Sequence, residues 1–302
     1  MPLFQVGDVI ESLGGTSVAD LIAQWTPYYA VSNQAARLRD IAQNMTRGNC
    51  GPVNVMLRRA NKTIAITSSR LAGGLINLTA GATHDRPGPT LQKLSDEVAY
   101  LKLSSVKAAD SSLYVRAASG TKGVVIDIRN YPSEFVVFTL GSLLATRPAP
   151  FARFTQPLLD NPGAFVSGQP VPLNPVQPHY SGRIVILVDE ITQSQAEYTT
   201  MAFRVSPDAV VVGSTAAGAD RNVSPIPLPG GLSTMISGLG VFYPDGTPTQ
   251  RVGIIPDVRA VPTVDGIRAG RDEVLEAGIR QILGKDASQS DIESMARIPG
   301  PQ

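Results

Sequence analysis

Three short apolar runs constrain the fold more than any other feature of this chain. Residues 123–128 carry Val124, Val125 and Ile126 in a row, residues 183–188 carry Ile184 through Val188, and residues 209–212 carry Val210, Val211 and Val212. A strand with no polar alternation must be buried on both faces, and a sheet covered on both faces is typically parallel. Helical spacing falls between and after these runs, over residues 105–119, 135–144, 194–204 and 271–283. The last of these places Val274, Leu275, Ala277, Gly278 and Ile282 on its apolar face. Strands alternating with helices predict an α/β layer with parallel pairing and right-handed crossovers. Residues 98–103 add a strand by alternation, and residues 232–243 read as a hairpin region.

The first part of the chain has another rhythm. Val6-Gly7-Asp8-Val9-Ile10 reads as a turn into a short strand, and helical patterns follow from Ser17 and over residues 33–45. Two strands, residues 53–58 and 62–68, meet at the turn Ala60-Asn61. Residues 71–96, with Arg86-Pro87-Gly88-Pro89, read as a linker. The expected organisation is a small α+β module over 1–70, the linker over 71–96, a core over 97–285, and a frayed tail over 286–302.

Composition narrows the function classes. Formal net charge is +1 with no charged runs, so electrostatics gives no reason to expect nucleic acid or a membrane surface as partner. The single cysteine, Cys50, excludes an intramolecular disulfide and a cysteine-based metal site. The two histidines, His84 and His179, lie far apart in sequence, which argues against a zinc site. No apolar run approaches the ~18–20 residues that span a bilayer. No signal peptide is visible at Met1-Pro2-Leu3-Phe4. No phosphate-binding or dinucleotide fingerprint appears, so no cofactor is expected.

Several ordered blocks over about residues 97–284 resemble the tail-specific (C-terminal processing) serine peptidase family. Tyr100-Leu101-Lys102-Leu103 resembles the family's Y-[IL]-x-[IL] strand. Asp127-Ile128-Arg129-Asn130-Tyr131-Pro132-Ser133-Glu134 resembles D-[LI]-R-x-N-x-G-G, with the paired glycines replaced. Ile186-Leu187-Val188-Asp189-Glu190-Ile191-Thr192-Gln193-Ser194-Gln195-Ala196-Glu197 matches the nucleophile block in register. Val212-Gly213-Ser214-Thr215-Ala216-Ala217-Gly218-Ala219-Asp220 resembles the lysine-bearing block, and places Ala219 where the family has its lysine. Tyr243-Pro244-Asp245-Gly246 and Gly253-Ile254-Ile255-Pro256-Asp257-Val258 complete the series. The resemblance implies a crotonase/ClpP-like layered core of parallel ββα units. In front of it, Gly7-Asp8-Val9-Ile10 and the following helix look like the second half of a PDZ module. On that resemblance the start of the chain is expected to be truncated. A serine-type endopeptidase acting on extended polypeptides is implied, with some features closer to tricorn-type relatives and with export to the periplasm or beyond.

The implied nucleophile is Ser194, which follows a buried strand and opens a helix, where helix-end N–H groups favour a developing negative charge. Ser194-Gln195-Ala196-Glu197 also reads as a capping box, with Glu197 reaching back to the cap or supporting the base. Loss of the lysine leaves the general base open among three residues. Lys102, flanked by Leu101 and Leu103, is the first; burial would lower its pKa, and tricorn-type relatives carry a base at the matching place. His84, in Thr83-His84-Asp85, would serve if the linker folds back over the cleft. His179 precedes the strand that Ser194 follows, roughly 20 Å away at about 3.3 Å per residue. Asp189 and Asp220 have ordinary turn explanations. The expected oxyanion donors are the backbone N–H groups of Gln195 and Ser133. The alternative readings are a catalytically impaired relative that binds peptides or proteins and, further off, a crotonase-like acyl-transfer enzyme.

Overall fold

The computed structural model describes residues 3–77 and 81–298. The first part is an antiparallel sheet in the order β2-β1-β3-β4. Its strands are β1 (Val9–Leu13), β2 (Thr16–Ser17), β3 (Gly51–Arg59) and β4 (Lys62–Arg70). Helices α1 (Val18–Trp25) and α2 (Gln34–Asn44) lie between β2 and β3. Each helix starts at a side-chain cap: Ser17 accepts from the Asp20 N–H and Asn33 from the Ala36 N–H.

The main sheet begins inside the expected linker. Strand β5 (Leu91–Lys93) pairs antiparallel with β6 (Val98–Lys102), so residues 91–93 belong to the core layer. Helix α3 (Ser111–Ala118), strand β7 (Gly123–Asp127) and the short helix α4 (Gly141–Leu144) follow. A second sheet then forms from β8 (Ala149–Pro157), β9 (Phe165–Ser167) and β10 (Val171–Leu173). The chain returns to the main sheet with β11 (Arg183–Val188), helix α5 (Gln195–Phe203) and β12 (Val210–Gly213). The hairpin β13 (Arg221–Pro227) and β14 (Ser233–Phe242) joins the second sheet, ordered β10-β8-β14-β13 with β9 on β8. Strand β15 (Val258–Arg259) closes the main sheet as β15-β12-β11-β7-β6-β5. Pairing is parallel from β6 through β7, β11 and β12 to β15. The chain ends with α6 (Val264–Arg268), α7 (Glu273–Leu283) and α8 (Gln289–Ala296).

Strand alternation divides the core in two. Ala99, Leu101, Val124, Ile126, Ile184, Ile186 and Val188 face one side, where α3, α4 and α5 contribute Val115, Leu143, Met201 and Phe203. Val98, Tyr100, Val125, Val185 and Leu187 face the other, against Val274, Leu275 and Ile279 of α7. The α/β layer read from the apolar runs is therefore present, with both faces covered as parallel strands require.

Two expectations are corrected. The helix expected over 135–144 forms regular α-helix only at Gly141–Leu144. The tail expected to fray over 286–302 contains α8, whose Ile292 and Ala296 are fully buried against the α7 side of the sheet. Residues 299–302 lie outside the described part. Ile292 and Met295 repeat at helical spacing, and α7 alone leaves that flank uncovered, so the tail completes the layer. Ile292→Ala should thus lower unfolding free energy by about 2–5 kcal/mol, as core truncations do. Chemical denaturation checks this; a change within experimental error would mean that α8 does not belong to the cooperative core.

Candidate active site

The site lies at the carboxyl end of the parallel strands, where open α/β layers present their chemistry. Strand β11 ends at Val188, and the turn 189–193 carries the chain into α5. Ser194 at the mouth of α5 has φ +55° and ψ −119°, a conformation that non-glycine residues rarely adopt. Such strain costs on the order of 1–3 kcal/mol and persists only where neighbours fix it. Here Glu197 does so. Its buried carboxylate accepts the Ser194 N–H at 3.1 Å, the reach-back expected of the capping box.

The same carboxylate holds a second loop. It accepts the N–H groups of Gly218 at 2.8 Å and Ala219 at 2.9 Å. That loop leaves β12 at Gly213, with φ +135°, where an added Cβ would lie 1.9 Å from the Val188 carbonyl oxygen. Glycine is therefore obligatory for the loop to pass the end of β11. Ala219 contributes its backbone N–H to Glu197.

The residues preceding β5 fold back over this edge. The His84 N–H donates to the Arg129 carbonyl at 2.8 Å, and the Asn130 side chain donates to Asp85 at 2.9 Å. These bonds bring the imidazole to the β11 turn, where Nδ1 of His84 lies 2.6 Å from Oδ2 of Asp189. Asp189 is nearly buried, and its Oδ1 accepts the Ile191 N–H at 2.8 Å. His84 remains 40% exposed in its side chain, so it can meet a substrate. The hydrogen bond to Asp189 raises its pKa, with burial opposing.

Arg129 anchors the floor. Its guanidinium grips both oxygens of Asp127 through Nε and Nη2, and both oxygens of Asp272 through Nη1 and Nη2, all at 2.6–3.0 Å. All three residues are buried. Asp127 ends β7, Asp272 caps α7, and the Tyr100 hydroxyl on β6 donates to Asp127 at 2.9 Å.

Two expected site residues, Lys102 and Ser133, are placed differently, and His179 lies at the far end of β11 as its place in the sequence implied. Lys102 shares the strand face of Val98 and Tyr100, opposite the face that α5 covers, and its Nζ donates to the Arg86 carbonyl at 3.2 Å. Alternation thus turns it away from Ser194. The Ser133 N–H, expected in the oxyanion hole, donates to the Leu103 carbonyl at 2.9 Å, and its hydroxyl to the Val106 carbonyl at 2.6 Å. Its donors are committed. His179 pairs with Gln177 on the surface, just before the amino end of β11.

Two aspartates read as turn residues have further roles. Asp189 is the imidazole's partner, a link between residues 105 apart that no local pattern reveals. Asp220 is buried, and its Oδ2 has no hydrogen-bond partner among the described residues. Burial and the neighbouring Glu197 carboxylate push Asp220 up to about 8, and burial lifts Glu197 to about 7 against its backbone N–H donors.

Residues 145–260 match the model of peptidase family S41. Among solved structures the fold is similar to mature CPAF, with a TM-score of 0.71 and 15% identity over 95% of this chain and 79% of that one. Mature CPAF complexed with lactacystin gives 0.69 and 15% over 88% and 75%. A putative peptidase from Parabacteroides merdae gives 0.59 and 18% over 90% of each. No curated protein matches the chain by sequence. No helix among the described residues is long and apolar enough to cross a membrane.

The two buried carboxylates make stability depend on pH. A folded pKa raised above its unfolded value contributes stability that is complete below the unfolded pKa and is lost as pH rises through the folded one. The midpoint of thermal unfolding should therefore fall as pH rises through about 7 and about 8. Asp220→Asn should flatten that decline, so that the variant outlasts the wild type above pH 8. Parallel slopes in scanning calorimetry would exclude Asp220 as the source. The match to peptidase family S41 over residues 145–260 takes in the strand–turn–helix that holds the strained serine.

Proposed function

We propose that the protein is a serine endopeptidase that cleaves extended polypeptides through an acyl-enzyme at Ser194, with His84 as general base. The observation that carries this reading is the His84–Asp189 pair built on the same turn that presents Ser194. Asp189 occupies Nδ1, which leaves Nε2 as the proton acceptor and fixes the tautomer. In this mechanism the Ser194 hydroxyl attacks the scissile carbonyl and Nε2 takes its proton. His84 then returns that proton to the leaving amine, and water releases the acyl group by the same route. The Gln195 N–H, in the first turn of α5, serves as an oxyanion donor. Glu197 acts through the backbone: it holds Ser194 and the 218–219 loop in place. Family grounds also favour an exported protein, and the crotonase-like and PDZ-like descriptions of its two parts belong to this proposal.

Substrate choice follows from the wall beside Ser194. The Gln195 side chain donates to the Glu134 carbonyl at 3.1 Å, so the 131–138 turn abuts the start of α5. That turn exposes Tyr131, Phe135 and Phe138, and Phe135 stacks on Tyr198 of α5 at 6.3 Å. An apolar side chain next to the scissile bond would be favoured on such a wall.

The test is cleavage of an unfolded protein by wild type and four variants. Ser194→Ala and His84→Ala should each lower kcat/KM by at least about a thousandfold, whereas Lys102→Met should stay within a few-fold. A fluorophosphonate probe should label wild type at Ser194. Loss of activity in Lys102→Met with retention in His84→Ala would reverse the base assignment. Wild type as inert as Ser194→Ala would leave a peptide-binding relative as the better reading. The acidic limb of the pH–rate profile should lie above 6.5, because Asp189 raises His84, and should move to lower pH in Asp189→Asn as activity falls.

A further inference from the structure

The β11 turn holds a third group that the hydrolytic mechanism does not use. One ligand atom from each of His84, Asp189 and Glu190 lies within 4.8 Å of the other two. Glu190 is half-buried, and among the described residues its Oε2 accepts a long 3.4 Å bond from the Ser214 hydroxyl. From the geometry we infer that these three side chains form a divalent transition-metal site, zinc being the fitting ion, and that its occupancy switches off the peptidase.

The donor set selects the metal class. One imidazole with two carboxylates is a borderline set, which suits zinc and its first-row neighbours better than magnesium or calcium. Ligand bonds of about 2.0–2.2 Å put two donors of a tetrahedral ion roughly 3.4 Å apart. The 2.6 Å His84–Asp189 pair must open slightly and Glu190 must close in, both small movements for side chains on loops. The site is built as well as convergent. The His84 backbone is pinned to the Arg129 carbonyl at 2.8 Å, and the Glu190 carbonyl accepts Nη1 of Arg39 at 2.7 Å. The exposed edge of His84 leaves an entry path and room for a water ligand.

The inhibitory consequence rests on the peptidase reading; metal binding does not. An ion at this place takes Nδ1 of His84 and one oxygen of Asp189, which breaks the bond that orients the imidazole. The imidazole is then no longer held for proton transfer with Ser194.

The test uses the Cys50→Ser, Ser194→Ala chain, which removes the exposed thiol and self-cleavage and keeps all three donors. Titration with zinc against a chromophoric chelator at pH 7.5 should show one ion per chain in the micromolar range. Adding Glu190→Gln or His84→Ala should each weaken binding about tenfold or more, with His179→Ala unchanged. Circular dichroism confirms that each variant folds. No zinc binding, or affinity in the Glu190 and His84 variants unchanged from that of the parent chain, overturns the site. In the active Cys50→Ser enzyme, zinc should inhibit with the midpoint at which it binds, and EDTA should restore activity. Full activity at saturating zinc overturns the switch. Absence of activity in metal-free buffer would count against the peptidase reading alone.

Discussion

The buried guanidinium of Arg129 is the constraint on which the rest of the site depends. It joins the end of β7 through Asp127 to the start of α7 through Asp272, so strand and helix cannot shift independently. A charge in that position is costly unless both partners and the remaining donors are satisfied, and here the two carboxylates use Nε, Nη1 and Nη2. Asp127 is also held by the Tyr100 hydroxyl, which ties in β6. The Arg129 carbonyl then receives the His84 N–H. One residue thereby fixes the floor of the sheet edge and the loop that delivers the imidazole. This gives the Asp127-Ile128-Arg129 block a structural meaning: its side chains build the platform, and its backbone positions chemistry supplied from elsewhere.

Glu197 plays the matching part on the serine side. N–H donors from two loops converge on its carboxylate: Ser194 at the helix mouth, and Gly218 and Ala219 beyond β12. Ala219 offers this loop only its backbone N–H, and no side-chain amine arises there. Asp220 beside it adds a second buried acid with an unpartnered oxygen. Two such carboxylates ionise together only at a cost, so proton binding here is coupled to the geometry of the Ser194 turn.

What the sequence made legible was what local pattern encodes. Apolar runs announce doubly buried strands. A strand followed by Ser194-Gln195-Ala196-Glu197 announces a capped helix mouth, and the structure has both. What stayed hidden depends on where loops travel. His84 sits in a segment rich in glycine, proline and polar residues, and only tertiary hydrogen bonds to Arg129 and Asp189 bring it to the site. Lys102 looked promising because its neighbours are leucines, yet alternation alone puts it on the Tyr100 face. The Ser133 N–H was unreadable for another reason. A backbone donor's availability depends on a distant acceptor, here the Leu103 carbonyl.

The amino-terminal module bears directly on this site. Asn33, at the cap of α2, donates to the Ala216 carbonyl at 2.8 Å, and Arg39 on α2 donates to the Glu190 carbonyl at 2.7 Å. These carbonyls belong to the two loops that converge on Ser194: the β11 turn with Asp189, and the segment leading to Gly218 and Ala219. A loop's backbone is ordinarily the least stable part of a domain, with local opening well below the global free energy. Here one helix and its cap tie both loops down. Asn33 also caps that helix through the Ala36 N–H, so a single side chain starts the helix and docks it. Any movement of α2 relative to the sheet must therefore be felt at Asp189 and at the N–H groups on Glu197 together. The module is thus part of the scaffold that makes the strained serine turn possible.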